Sequence, residues 1–296
     1  MKNNSKITVG FIQMKMGNDP KQNLTKTIQY IEKAARKGAQ IILLPELHQF
    51  RYFCQTENIK YFKFAENIPG ATTNILANTA KKLNIIIVSS IFEKRLPGLY
   101  HNTSVVFEKN GEIAGTYRKM HIPNDPGFYE KYYFTPGDLG FKIFNTSIGK
   151  LGILICWDQW FPEASRLLAI HGADLILIPT AIGWLPKDLK TEKERQLNAW
   201  LTIQKAHAIA NGLPIVVCNR IGLEPHPITN KQGLEFWGNS FIVDQFGDVL
   251  IRANNKNEGI YIQDIDLSYT EKIRKTWHFL RDRRVDFYQD LTKLGQ

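Results

Sequence analysis

Cys156 closes the apolar run Leu151-Gly152-Ile153-Leu154-Ile155 and is followed at once by Trp157-Asp158-Gln159-Trp160-Phe161-Pro162-Glu163. The run reads as a strand, and Pro162 with the residues after it reads as the opening of a helix. A thiol at such a junction meets backbone N–H groups and the positive end of a helix dipole, both of which favour the thiolate. Cys156 is therefore the nucleophile candidate. Glu46 follows Pro45 directly after the apolar run 41–44, a costly place for a carboxylate unless it is paired or working. Lys119 stands just past a glycine-turn hairpin, where the chain enters a long loop rich in Pro, Gly and aromatic residues. Ordered long loops in compact domains are usually functional. Acid, base and thiol together equip a chain for nucleophilic catalysis.

Histidine offers a second way to serve the thiol. The seven histidines are dispersed, and His121 is the serious rival because it shares the Lys119 loop. His171 falls at the far end of the helix after Cys156, where it reads as a capping residue. Spacing alone leaves Lys119 and His121 both open. No His-x-x-x-His or Cys-x-x-Cys pair occurs, so neither a metal nor another cofactor is expected. Cys54 and Cys218 read as buried core thiols.

The elements that must position these groups occur twice. Val9-Gly10-Phe11-Ile12-Gln13 parallels Leu151-Gly152-Ile153-Leu154-Ile155, and helical patterns follow over 24–37 and 162–171. Each helix ends at Gly-Ala, a C-terminal cap leading into a new strand. Gly38-Ala39-Gln40-Ile41-Ile42-Leu43-Leu44-Pro45-Glu46 then aligns without a gap on Gly172-Ala173-Asp174-Leu175-Ile176-Leu177-Ile178-Pro179-Thr180. Buried strands over 83–89 and 213–218 correspond, as do hairpins turning at Gly111 and Gly247. Two equivalent sheets, each helix-covered on one face, predict an α/β four-layer α-β-β-α sandwich with two pseudo-twofold-related half-repeats. We read residues 1–296 as a single domain, with half-repeats at about 7–118 and 150–252 and a C-terminal extension over 265–296. Ligands of such sheets lie beyond the carboxyl ends of the strands, where Glu46, Thr180 and Cys156 all fall.

Composition narrows the class further. The 296 residues carry a formal charge of +10, but Lys and Arg are scattered among acids and no nucleic-acid motif appears, so neither nucleic acid nor membrane is an expected partner. No apolar segment approaches the ~18 residues of a membrane span. The segment Met1-Lys2-Asn3-Asn4-Ser5-Lys6 shows no secretory pattern, and three irregularly spaced cysteines suit a cytoplasmic setting.

Leu44-Pro45-Glu46, Tyr117-Arg118-Lys119-Met120-His121-Ile122-Pro123 and Gly152-Ile153-Leu154-Ile155-Cys156-Trp157-Asp158, in this order, resemble the carbon–nitrogen hydrolases of the nitrilase superfamily. The resemblance extends over nearly the whole chain, including Asn219-Arg220-Ile221-Gly222 and Phe279-Leu280-Arg281-Asp282-Arg283-Arg284. It implies the four-layer sandwich, a Glu46–Lys119–Cys156 triad, a supporting Glu130 and a homo-oligomer. Asn124-Asp125-Pro126-Gly127-Phe128-Tyr129-Glu130-Lys131, together with 156–163, is most similar to the branch that hydrolyses N-carbamoylputrescine to putrescine, ammonia and carbon dioxide. The segment 183–190 departs from plant members of that branch. A related carbamoylase, an aliphatic amidase or an ω-amidase is the alternative activity, and an idle scaffold is the alternative class. The implied small-molecule substrate is a cation, for which Asp125, Asp158, Asp188 and Glu224 are candidate partners. Trp157, Asn124, Tyr129, Thr180 and Trp184 are further candidates for lining the pocket.

Overall fold

In the computed structural model residues 6–295 are described; Gln296 and the polar lead Met1-Lys2-Asn3-Asn4-Ser5, with its reading as non-secretory, lie outside them. Two six-stranded sheets share one arrangement. In the first, Lys6–Gln13, Ile41–Leu43 and Ile86–Leu96 run parallel, and Leu99–Phe107 and Ile113–Arg118 continue it antiparallel. In the second, Gly149–Ile153, Leu175–Thr180 and Ile215–Asn219 run parallel, and Phe241–Val243 and Val249–Arg252 continue it antiparallel. An antiparallel edge strand closes the other side of each: Gly259–Asp266 in the first sheet and Ile143–Thr146 in the second.

Burial explains the stacking. Val9, Phe11, Leu43 and Val88 of the first sheet share one core with Leu151, Ile153, Leu175, Leu177 and Val217 of the second. Alternate residues of the first sheet, Ile42, Ile87, Val105 and Phe107, meet α1 (Pro20–Arg36) and α2 (Ala71–Leu83) through Ile31, Ala34, Leu76 and Ala80. On the second sheet α3 (Pro162–Ile170) and α4 (Lys190–Asn211) bring Ala164, Leu168 and Ala208 into the core. Each fully buried aliphatic side chain stabilises the fold by about 1.5–3 kcal/mol. The result is the four-layer α-β-β-α sandwich expected from the sequence. The repeated Gly-Ala signals also act alike. Gly38 (φ +90°) and Gly172 (φ +91°) take a left-handed turn, and Ala39 and Ala173 then donate to Ala34 O and Leu168 O.

Two features differ from the sequence reading. The edge strand Gly259–Asp266 crosses the boundary assigned to the C-terminal extension, pairing with Lys6–Gln13 through eight registered residues. The strand before the thiol stops at Ile153, and Cys156–Trp160 is a 3-10 segment between it and the α-helix, which begins at Pro162 as read from the sequence. Among the described residues no helix is long and apolar enough to cross a membrane.

Candidate active site

Glu46 and Cys156 sit at bends where the chain leaves neighbouring central strands, one in each sheet. Leu47 (φ +49°), directly after Glu46, and Cys156 itself (φ +45°) both occupy left-handed backbone. For residues with a Cβ this costs about 1–2 kcal/mol, so each bend must be held from outside. At the first, Arg220 Nη2 donates to Glu46 O at 2.6 Å and Leu47 O at 3.1 Å, and Leu47 N donates to Ser90 Oγ at 3.2 Å. At the second, Asp158 Oδ2 accepts from Ile155 N at 3.0 Å and from Tyr117 OH at 2.8 Å. Its Oδ1 accepts from His121 N at 2.9 Å. Asp158 thus ties the thiol turn to the loop carrying Lys119.

Lys119 is fully buried between two carboxylates, donating from Nζ to Glu46 Oε1 at 2.8 Å and to Glu130 Oε2 at 2.7 Å. Asn102 Nδ2 also donates to Glu46 Oε1, at 2.7 Å, and Tyr52 OH donates to Glu130 Oε1 at 2.6 Å. Glu46 Oε2 is buried and, among the described residues, without a hydrogen-bond partner. Gly137 makes room beneath the loop: a Cβ there would lie 2.1 Å from Arg118 O.

Charge in this dry cluster is set by competition. Burial opposes the Lys119 ammonium, but Glu130 and Glu46 outweigh it and hold the amine well above its ordinary range. Burial pushes the Glu130 carboxyl up to about 7, against the pull of Lys119. Burial and the Glu46 carboxylate also raise the Cys156 thiol well above its usual range, with Lys119 opposing. This reverses the sequence expectation of a resting thiolate: a five-residue 3-10 segment, already capped by Asp158, and one lysine shared between two acids do not overcome desolvation. A thiol raised in this way calls for a base beside it to take its proton.

Residues 8–275 match the family profile described as carbon-nitrogen hydrolase. The chain is a carbon–nitrogen hydrolase. It is 39% identical to a tomato (Solanum lycopersicum) N-carbamoylputrescine amidase, over 98% of this chain and 96% of that one. It is 36% identical to a citrullinase of Francisella tularensis, with 97% and 98% covered. A solved carbon–nitrogen hydrolase from Helicobacter pylori G27 superposes with a TM-score of 0.95 at 49% identity, over 98% and 100% of the two chains. The hydrolase therefore acts on C–N bonds.

In this hydrolase Cys156 opens on a cavity of about 380 Å³. Trp157, Asp125, Asp188 and Glu130, named from sequence, line it, and so do Phe128, Trp160 and Trp237, which sequence reasoning missed. Other candidates lie elsewhere. Asn124 is exposed on the two-residue strand before the cavity wall, and Tyr129 lines a neighbouring open cleft. Thr180 is buried, its hydroxyl donating to Ile178 O at 3.2 Å. Trp184 packs in the core against Trp237. Asp158 has both oxygens engaged, as above, and Glu224 is buried against Arg220 Nη1 at 2.9 Å. The His121 rival is answered by geometry: its Nδ1 lies 2.8 Å from Asp158 Oδ1 and its ring stacks on Phe161 at 3.7 Å, away from the cavity. Asn102, Tyr52 and Arg220 were also missed as parts of the site; only the Asn219-Arg220 motif carried any signal for them. Among the described residues no group of three or more His, Cys, Asp or Glu side chains is placed to hold a metal ion.

Proposed function

We propose that the enzyme hydrolyses N-carbamoylputrescine to putrescine, ammonia and carbon dioxide, with Glu46, Lys119 and Cys156 as the catalytic residues and Glu130 as the positioning residue of Lys119. The observation that carries the reading is the charge of the cavity in front of the thiol. Asp125 and Asp188 line it, and among the described residues no lysine or arginine does. Such a wall suits a ureide with an ammonium at its far end and repels one ending in a carboxylate. The identity to amidases of that substrate supports the same choice. The citrullinase relative marks the competing one, a ureide bearing an amino-acid head group.

The mechanism follows from which atoms are occupied. Glu46 Oε1 is taken by Lys119 and Asn102, so Oε2 is the oxygen that removes the Cys156 proton. The sulfur attacks the carbamoyl carbon as that proton leaves. Lys119 has spent two of its three donors on carboxylates, and the third holds the developing oxyanion with the backbone N–H of Trp157. The latter lies in the first turn of the 3-10 segment, where N–H groups have no partner within the helix. Glu46 passes its proton to the departing nitrogen and then activates water against the carbamoyl thioester.

The assay is ammonia release from N-carbamoylputrescine, N-carbamoyl-β-alanine and citrulline, with Cys156→Ala protein as the blank. Turnover of the cationic ureide above the other two is expected, and preference for citrulline or the acidic ureide overturns the substrate. The protein is further proposed to be cytoplasmic, in keeping with three unpaired cysteines, and to assemble with copies of itself. Val285, Phe287 and Leu291, exposed near the C-terminus, support assembly, which light scattering measures directly.

A further inference from the structure

Four acids were open as partners for the far end of the substrate, and the structure separates them. Asp158 and Glu224 are consumed by the frame, holding the thiol turn and Arg220 respectively, and neither lines the cavity. Asp125 lines it from an exposed position on the Asn124–Asp125 strand, and no hydrogen bond or ion pair among the described residues fixes its carboxylate. Asp188 is different. It is half-buried, and the turn that carries it is closed in both directions: Asp188 N donates to Leu185 O at 3.1 Å, and Leu185 N donates to Asp188 Oδ2 at 2.9 Å. One oxygen is thereby pinned and the other remains available. Among the described residues Asp188 has no lysine or arginine partner, although Lys187 and Lys190 are its near neighbours in sequence. It also lies two residues before α4, whose N-terminal end favours negative charge and whose Gln196 and Ala199 line the same cavity.

We propose that Asp188 is the specificity-determining residue that binds the distal ammonium of the substrate, with Asp125 a secondary, screened charge. The inference rests on the ureide reading above and names the residue that enforces it. The cavity between the two ends is apolar, walled by Trp157, Ile182, Leu185 and Trp237, as a methylene chain requires. A carboxylate already fixed by a backbone N–H loses little freedom on receiving its partner, whereas an exposed one must be ordered and competes with salt. A ureide carrying a carboxylate beside its ammonium, as an α-amino acid does, brings like charge to Asp188 and is rejected.

The test compares N-carbamoylputrescine with N-pentylurea, a neutral ureide of the same length, in wild type, Asp188→Asn, Asp188→Glu and Asp125→Asn. Asp188→Asn keeps an acceptor for the Leu185 N–H and removes only the charge. It is expected to lower kcat/KM on the cation on the order of 10- to 100-fold, mainly through KM, and to leave N-pentylurea within about threefold. Asp188→Glu should recover part of that loss, and Asp125→Asn should cost less than Asp188→Asn. Equal losses on both substrates would assign Asp188 a structural role and overturn the inference. So would an unchanged Asp188→Asn, or a larger loss in Asp125→Asn. Wild-type protein that turns over neither ureide overturns the functional reading itself, and is told apart by being visible before any variant is made.

Discussion

Glu46 and Thr180 occupy the same place in the two sheets, each following a proline at the end of a central parallel strand, and the fold brings them together: Glu46 N donates to Thr180 O at 3.3 Å. One is the buried acid of the site, and the other is a hydroxyl satisfied by its own strand. The thiol has a similar counterpart in Met14, at the matching end of Lys6–Gln13, which is buried among α1 residues. Each half thus arms one of its two bends, Glu46 in the first and Cys156 in the second, and leaves the other, at Met14 or Thr180, without chemistry. The sandwich provides dry, rigid strand ends facing each other; the reaction depends on what side chains are mounted there and on the residues that hold them. A carboxylate at position 46 survives burial because Lys119 and Asn102 meet it, and among the described residues no equivalent pair meets position 180.

The largest expected break in this asymmetry is loss of the proposed nucleophile. Cys156→Ala should abolish ammonia release, a fall on the order of 10⁴-fold or more, while circular dichroism remains that of the folded chain. Next is Glu46→Gln, which preserves an acceptor for Lys119 and Asn102 but removes the base. A decrease in kcat of about 10²–10⁴-fold is expected, and single-turnover kinetics should place it in the attack step. A smaller loss would move the base elsewhere and dissolve the contrast with Thr180.

Tyr52→Phe probes the layer behind the triad. Its hydroxyl hydrogen-bonds Glu130 and favours the ionised carboxylate, which in turn holds Lys119. With Glu130 raised to about 7, kcat/KM should climb through neutral pH as this carboxyl ionises. Removing the hydroxyl should shift that limb to higher pH and lower activity at pH 7 by roughly tenfold. Stability runs the opposite way. Because the folded-state value of Glu130 lies above its unfolded one, its favourable contribution is complete below the ordinary carboxylate range and disappears as pH rises through about 7. A pH–rate profile paired with a pH–melting curve therefore separates function from fold at this residue.

Much of this was legible in the chain because it is local. Apolar runs, the Gly-Ala caps and the residue just beyond each run placed Glu46 and Cys156, and the hairpin followed by an ordered loop placed Lys119. What was not legible depends on contacts across long sequence separations. Asn102 reaches Glu46 over 56 positions, Tyr52 reaches Glu130 over 78, and Arg220 reaches Glu46 O over 174. Asp158 read as a substrate ligand because a carboxylate beside a nucleophile suggests one; only the fold shows Tyr117, His121 and Ile155 converging on it. The edge strand Gly259–Asp266 escaped because pairing with the first strand of the chain leaves no local signature. The protonation of Cys156 was misjudged for a related reason: the sequence shows the lysine, whereas burial and the second carboxylate exist only in the folded cluster.

The smallest expected effect tests the quiet counterpart of Glu46. Thr180→Val is close to isosteric and removes the hydroxyl that donates to Ile178 O. The lost hydrogen bond should cost about 0.5–1.5 kcal/mol of stability, seen as a modest drop in melting temperature. The backbone carbonyl that receives Glu46 N–H is untouched by the substitution, so the bend at Glu46 keeps its support. Turnover should consequently stay within about threefold of wild type, since no polar contact of the triad is altered. A loss approaching that of Glu46→Gln would mean that Thr180 touches the reacting groups and that both halves contribute side chains at this position. Unchanged kinetics with a lowered melting point would leave the asymmetry intact: one strand end carries chemistry, and its counterpart carries only the sheet.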